Sequence, residues 1–252
     1  METVIIITGA GNGIGLGMTR ALLADGYRVA ALDLKTKFLI ELERTYTSQL
    51  LVQTCDITDT GQVADCVCAI QEKWGRVDVL VNNACLAIFA PFEQKSLADT
   101  RREFEVNYFG MLNMIQSVLP VMKAQGSGLI HNFSSGVGIS GFPGIYGYAS
   151  TKGAIESLTR TLALEMHPYG IQVNLMHPPL TDTPSARPLG IPAQMMENPD
   201  VVGARLARQI LSTKDVITPD LRTKLYLFCV YRFPLALGRL FANLTEKAHT
   251  AE

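Results

Sequence analysis

Val4-Ile5-Ile6-Ile7-Thr8-Gly9-Ala10-Gly11-Asn12-Gly13-Ile14-Gly15 is the stretch whose reading decides the fold. Val4 to Thr8 is a continuous apolar, β-branched run. It suits a strand buried on both faces of a parallel sheet rather than one with a wet side. The glycine-rich loop runs directly into Leu16 to Asp25, where apolar residues recur at helical spacing until Gly26. Tyr27 to Leu32 is a second strand, closing on Asp33. Strand, glycine loop, helix, strand and terminal acid form one βαβ unit. Gly9, Gly11, Gly13 and Gly15 let the backbone turn tightly and approach a pyrophosphate, whose charge meets the helix N-terminus. Asp33 lies roughly 20 residues beyond the loop, where a carboxylate can accept hydrogen bonds from an adenosine ribose. The unit predicts a dinucleotide site.

The same alternation continues. Leu50 to Cys55 reads as a strand ending at Asp56, Thr60 to Trp74 as a helix, and Val77 to Val81 as a strand ending in Asn82-Asn83-Ala84-Cys85. Leu97 to Gln125 is a long amphipathic segment, one helix up to Pro120 or a little past it. Leu129 to Phe133 is a strand running into Ser134-Ser135, Gly147 to Met166 a helix, and Ile171 to Met176 a sixth strand ending in His177-Pro178-Pro179. Leu180 to Asp200 reads as a loop or broken helix of the kind that covers a pocket. Val201 to Leu211 is a further helix and Val216 to Thr218 a short last strand. Strands separated by helices imply a parallel sheet with ligands at its carboxyl ends, and every polar cluster named falls at such an end. The chain has no repeat or long linker, so residues 1–252 are expected to form a single dinucleotide-binding and catalytic domain.

Composition narrows the function. At 252 residues and 48% hydrophobic content the chain can bury a sizeable core. A net charge of −1 gives nucleic-acid binding no electrostatic support. Five cysteines without a closely spaced even framework read as free thiols in a reducing compartment. The first apolar run lacks a basic leader and no stretch reaches membrane-spanning length, so a cytoplasmic location is expected. His131, His167 and His177 lack metal-ligand spacing and read as structural, so no metal is expected.

Tyr148 and Lys152 stand four apart on one helix face. A lysine ammonium beside a phenol favours the phenolate, which should lower the tyrosine pKa from about 10 toward neutrality and make it a usable proton donor or acceptor.

With these motifs in order, Thr8 to Gly15, Asn82 to Ala84, Asn107, Ser135, and Tyr148 with Lys152, the chain resembles the short-chain dehydrogenase/reductase family, in its branch of about 250 residues, from Thr3 to about Ile217. The resemblance implies a single Rossmann-type α/β fold, a doubly wound parallel sheet with helices on both faces. It implies an oxidoreductase that moves a hydride between a nicotinamide cofactor and a secondary alcohol or ketone. Tyr148 would be the general acid/base, Lys152 would lower its pKa and bond the nicotinamide ribose, Ser135 would donate to the substrate oxygen, and Asn107 would hold a water in a proton relay. The cofactor would be held by Gly9, Gly11, Asn12, Gly13, Ile14, Gly15, Asp33, Asp56, Ile57, Asn83, Ala84, Tyr148, Lys152, Pro178, Thr181 and Thr183. Plainer roles stay open: Ser135 as a turn cap, Asn107 as a residue bonding within a helix kink, Asp56 as the cap of the helix from Thr60, Asn83 as a turn residue. A nucleotide-binding redox sensor or scaffold without turnover is the alternative from another class. Relatives usually form dimers or tetramers, and a homodimer or homotetramer is expected on that ground.

Two positions depart from the family pattern. Cys85 follows Asn-Asn-Ala where glycine is common, and Pro179 replaces the glycine of Pro-Gly after the sixth strand. Proline fixes φ and removes an N–H, which bears on the carboxamide contacts of Thr181 and Thr183. Asp33 suits the free 2′-hydroxyl of NAD and would repel the 2′-phosphate of NADP, while Lys35 and Lys37 could soften that preference. NAD is expected, with NADP as second choice. Phe89, Phe92, Ile139, Phe142, Met195 and Met196 suggest an apolar substrate. Beyond Pro219, residues 220–252 are an added helical tail in which Leu221 to Leu244 is rich in Leu, Phe and Tyr and Pro234 separates two helices. The tail is expected to pack on the protein body or a partner subunit; contact with a membrane surface is the lesser reading.

Overall fold

The computed structural model describes residues 2–250, the side chains of residues 244–250 excepted. Residues 251 and 252 of the expected tail, and the side chain of Leu244, lie outside the described residues. In chain order the elements begin with β1 (Val4–Thr8), α1 (Gly13–Ala24), β2 (Arg28–Asp33), α2 (Lys37–Thr45), β3 (Leu50–Thr54), α3 (Thr60–Trp74) and β4 (Val79–Asn82). A long helix follows as α4 (Leu97–Phe104), a π turn (Glu105–Gly110) and α5 (Met111–Gln125). Then come β5 (Gly128–Phe133), α6 (Val137–Ser140), α7 (Tyr146–Met166), β6 (Ile171–Met176), α8 (Pro199–Ala207), β7 (Val216–Ile217), α9 (Leu221–Arg232) and α10 (Pro234–Thr250).

All strand pairs are parallel, in the order β3-β2-β1-β4-β5-β6-β7. Chain order reverses beside β1, where β2 lies on one side and β4 on the other. That divergence is the switch point at which open α/β sheets form a crevice. The register aligns Thr8 with Leu32 and with Asn82, so the glycine loop, the end of β2 and Asn83 emerge at one edge.

The unbroken apolar strands follow from burial on both sides. Val4 and Ile6 join α3, α5 and α7 on one face, with Met114, Ile115 and Ile155. Ile5 and Ile7 face the other way, with Leu22 and Leu23 of α1 and Val202 and Leu206 of α8. Each fully buried Ile or Leu contributes roughly 1.5–3 kcal/mol. α1 and α8 pack closely enough that a Cβ on Gly203 would lie 2.6 Å from the Met18 nitrogen.

Three features depart from expectation. α2 forms where no element was foreseen. The long helix continues through Pro120 to Gln125, interrupted by the π turn instead. Asp59, not Asp56, caps α3, accepting from the Gly61 and Gln62 N–H groups at 2.9 and 3.1 Å. Asp56 instead folds back to accept from the Thr58 N–H at 2.9 Å. Among the described residues no single helix is long and apolar enough to cross a membrane.

Candidate active site

The carboxyl edge of the sheet opens into a cleft of ≈ 940 Å³, the size class of a cofactor site. Gly9, Asn12, Gly13 and Ile14 line one end, with Asp33, Asp56 and Ile57. Asn83, Ala84, Ser135, Tyr148 and Lys152 line the middle, with Pro178 and Thr183 above them. Gly11 and Gly15 lie outside this lining and serve the loop's shape. Gly9 has φ +65°, and a Cβ on it would come within 2.7 Å of the Ala84 Cα. A Cβ on Gly15 would overlap the Gly9 carbonyl. Asn83 braces the same turn, its amide donating to the Thr8 and Gly9 carbonyls at 3.0 Å each.

Asn12 is the N-cap of α1, extended at φ −155°, yet its side chain makes no capping bond and the first turn carries no acid. The leading N–H groups of α1 therefore have no side-chain acceptor of their own, which fits a pyrophosphate approaching from the cleft. Asp33 Oδ2 accepts from the Gly11 N–H at 2.7 Å and Oδ1 from the Lys35 N–H at 2.8 Å. Two backbone bonds fix the carboxylate and leave it lone pairs for ribose hydroxyls. These residues fit a dinucleotide.

Ser135, Tyr148 and Lys152 meet at the cleft floor. Ser135 follows β5, and Tyr148 sits in the first turn of α7 with Lys152 one turn on. The Ser135 hydroxyl lies beside the Tyr148 phenol, where it favours the phenolate. Lys152 is buried, donates from Nζ to the Phe133 carbonyl at 2.7 Å, and lies 5.5 Å from the Tyr148 ring centre. The expected lowering of the Tyr148 pKa is not what this geometry gives. Burial pushes the phenol above its ordinary value, and Cys85 and Glu103 beside it add to that; only Ser135 works the other way. Lys152 turns its ammonium to a carbonyl, and burial pulls its own pKa down. Desolvation outweighs the neighbouring cation.

Asn107 is buried in the π turn. Its Oδ1 accepts from the Leu86 N–H at 2.7 Å, and its Nδ2 donates to the Leu86 carbonyl at 2.8 Å and the Thr151 hydroxyl at 3.1 Å. Both amide hydrogens are committed, so the side chain ties the π turn to the segment after β4 and to α7, the bonding role at a helix kink that was left open for it. Thr181 is buried beneath the cleft lining, its hydroxyl donating to the Pro179 carbonyl at 2.8 Å. Of the apolar residues expected at the pocket, Phe89, Phe142 and Met195 line it; Phe92, Ile139 and Met196 do not. Phe92 is 75% exposed and packs on Tyr146.

Several residues escaped sequence reasoning because their partners are distant in the chain. Lys95 and Glu103 form a fully buried ion pair at 2.5 Å, and both also bond Ile88, through its carbonyl and N–H. Glu156, one turn beyond Lys152, gathers His177 at 2.8 Å, Arg160 at 2.6 Å and the Tyr231 hydroxyl at 2.5 Å, with Ser134 beside them. Burial pushes the Glu156 carboxyl up, but the bonds from His177, Ser134 and Tyr231 outweigh it and hold the group below its ordinary range. From the tail, Arg222, Thr223, Tyr226 and Phe241 reach the cleft wall. The i, i+4 spacing of Tyr148, Lys152 and Glu156 was the one available signal for Glu156.

Residues 3–192 match the short chain dehydrogenase family model. The chain is 38% identical over 193 residues to 2-(R)-hydroxypropyl-CoM dehydrogenase of Xanthobacter autotrophicus, covering 73% of this chain and 76% of the relative. It is 34% identical to sorbitol dehydrogenase of Cereibacter sphaeroides, over 70% of each chain. A solved short-chain dehydrogenase of Streptomyces avermitilis superposes with a TM-score of 0.81 at 28% identity, covering 99% of this chain and 97% of that one. The chain belongs to the short-chain dehydrogenase family.

Proposed function

We propose that the whole chain is one catalytic unit that interconverts a secondary alcohol and a ketone with NAD(H), using Tyr148 as general acid/base. The observation that carries this reading is the meeting of Ser135, Tyr148 and Lys152 on the floor of a cleft whose other end is the glycine loop. A bound nicotinamide supplies or accepts the hydride. Gly9, Gly13, Ile14 and Asp33 hold its nucleotide end, and Asn83, Ala84, Lys152, Pro178 and Thr183 lie toward the reacting end.

In ketone reduction the carbonyl oxygen becomes an alkoxide. The Ser135 hydroxyl donates to that oxygen, and the Tyr148 phenol transfers its proton to it. The raised Tyr148 pKa keeps the phenol protonated at neutral pH, which suits proton donation. In alcohol oxidation the same phenolate must first form, so this direction gains at alkaline pH. Pre-placed donors of this kind lower the barrier because they need no reorientation as charge develops. The apolar end of the cleft, with Phe89, Phe142, Leu189, Ile191 and Met195, supports an apolar substrate.

The test is titration of the purified protein with NADH and with NADPH, read by energy transfer from Trp74 to the nicotinamide. Tighter NADH binding is the expected result, since the Asp33 carboxylate repels a 2′-phosphate. Tighter NADPH binding would mean Lys35 or Lys37 dominates and would overturn the NAD assignment. Binding of neither would overturn the dehydrogenase reading.

A further inference from the structure

α9 carries apolar residues on two faces, one buried and one exposed. Inward, Thr223, Leu227 and Val230 of α9 are buried, and Tyr226 reaches the cleft. Outward, Leu221, Leu225 and Phe228 are 78%, 63% and 69% exposed. Their spacing of four and three places them on one helix stripe, and Arg232, four residues after Phe228, completes it. The stripe continues over the bend, where Phe233 and Leu235 are exposed and the Arg232 guanidinium packs on the Phe233 ring at 5.4 Å. α9 and α10 turn on one another by 116° there. Single exposed apolar residues need no explanation, but a contiguous stripe does.

Charge says what covers it. Residues 220–243 carry Arg222, Lys224, Arg232 and Arg239 against one acid, Asp220, a net +3 in a chain whose total is −1. Asp220 is already committed, capping α9 and pairing with Arg205 at 3.1 Å. On α9, Lys224 and Arg222 flank the apolar stripe on either side. Apolar centre and cationic flanks are the pattern of a helix lying in a lipid headgroup layer, with long basic side chains reaching the phosphates.

We infer that the outer face of α9 and its bend with α10 is a docking surface for an anionic phospholipid membrane, seated by Leu221, Leu225, Phe228, Phe233 and Leu235. The surface is peripheral. The inner faces of the same helices wall the cleft, so a docked membrane lies about one helix diameter, roughly 10 Å, from it.

The test is co-sedimentation of the full chain with phosphatidylcholine vesicles, with and without phosphatidylglycerol, and no nicotinamide present, so the result is independent of the dehydrogenase reading. Binding is expected only to the anionic vesicles and should fall with added salt. Leu225→Glu with Phe228→Glu, both on the solvent side, should abolish it while leaving the melting temperature and turnover of a water-soluble ketone unchanged. Arg232→Ala should weaken binding about five-fold. Failure to bind anionic vesicles, or equal binding by the double variant, overturns the proposal. So does an oligomer that the double variant splits while the wild type ignores vesicles, since the face would then belong to a second copy.

Discussion

The Tyr148 phenol sits where burial and the neighbouring Cys85 both disfavour its ionisation, and this sets the expected pH behaviour of the two reaction directions. The reduction direction needs the phenol, which is present below its raised pKa. Ketone reduction should therefore hold level through neutral pH, while alcohol oxidation should keep rising into the alkaline range. Cys85→Ala removes a neighbour that opposes the phenolate, so the phenolate becomes easier to form and the rising limb of oxidation should move to lower pH. A profile of kcat/KM against pH for both proteins checks this, and an unmoved limb would rule out Cys85 as a partner of Tyr148. Tyr148→Phe keeps the ring and loses the proton, so kcat should drop by about 10²- to 10⁴-fold with the fold retained. Asp33→Asn tests the other end of the cleft. Removing the charge while keeping an acceptor should narrow the preference for NADH over NADPH without altering kcat.

Among the elements, α7 packs against α4 over the buried Lys95–Glu103 pair, and Gly147 is what allows the approach. A Cβ at Gly147 would overlap the Glu103 carboxylate and lie 2.8 Å from Lys95 Nζ. Gly147→Ala should therefore split the pair and cost roughly 3–5 kcal/mol, the range for breaking a buried ion pair. Gly75→Ala, whose Cβ would have open space, should cost only the strain of its left-handed φ of 72°, about 1 kcal/mol. Urea unfolding of both variants separates contact from backbone strain. This contrast also explains what the sequence made legible. The strands announced themselves because both faces are buried and their residues are uniformly apolar, and the glycine loop because close backbone approach needs glycine at fixed intervals. α2 was silent because Leu39 is its one buried residue while Phe38 and Ile40 face solvent. The π turn has no compositional mark at all. Lys95 and Glu103 look like surface charges until the chain folds them under α7, and the direction of the Tyr148 shift depends on burial that no spacing reveals.

Across the whole molecule, the tail and α7 are joined at Glu156. The Tyr231 hydroxyl of α9 donates to the same carboxylate that meets His177 at the end of β6, and Ser134 beside it neighbours Ser135. The glycine loop lies at the opposite end of the cleft. Removing residues 220–252 should therefore act on one end only. The cleft loses the wall formed by Arg222, Thr223, Tyr226 and Phe241, so KM for an apolar ketone should rise at least about ten-fold, from the loss of one large apolar contact surface. The dissociation constant for NADH should stay within a factor of about two, since the groups proposed to hold its nucleotide end belong to the loop between β1 and α1, to α1 and to β2. Because the truncated chain exposes apolar surface on α6, Tyr226→Ala is the companion variant. It opens the same wall without removing a helix and should raise KM in the same direction. An increase in the NADH constant equal to that in KM would show that the tail supports the whole cleft rather than its substrate end. The Glu156 junction adds an acid sensitivity with a definite sign. Its carboxyl is held below its ordinary range, so the stability it contributes is full above the ordinary glutamate value, about 4.3, and is lost as pH falls through the lower folded value. Glu156→Gln should remove that acid loss, flattening the melting temperature of the full chain against pH below about 4.3. A wild-type melting curve as flat as that of the variant would show that the junction holds the tail without its charge.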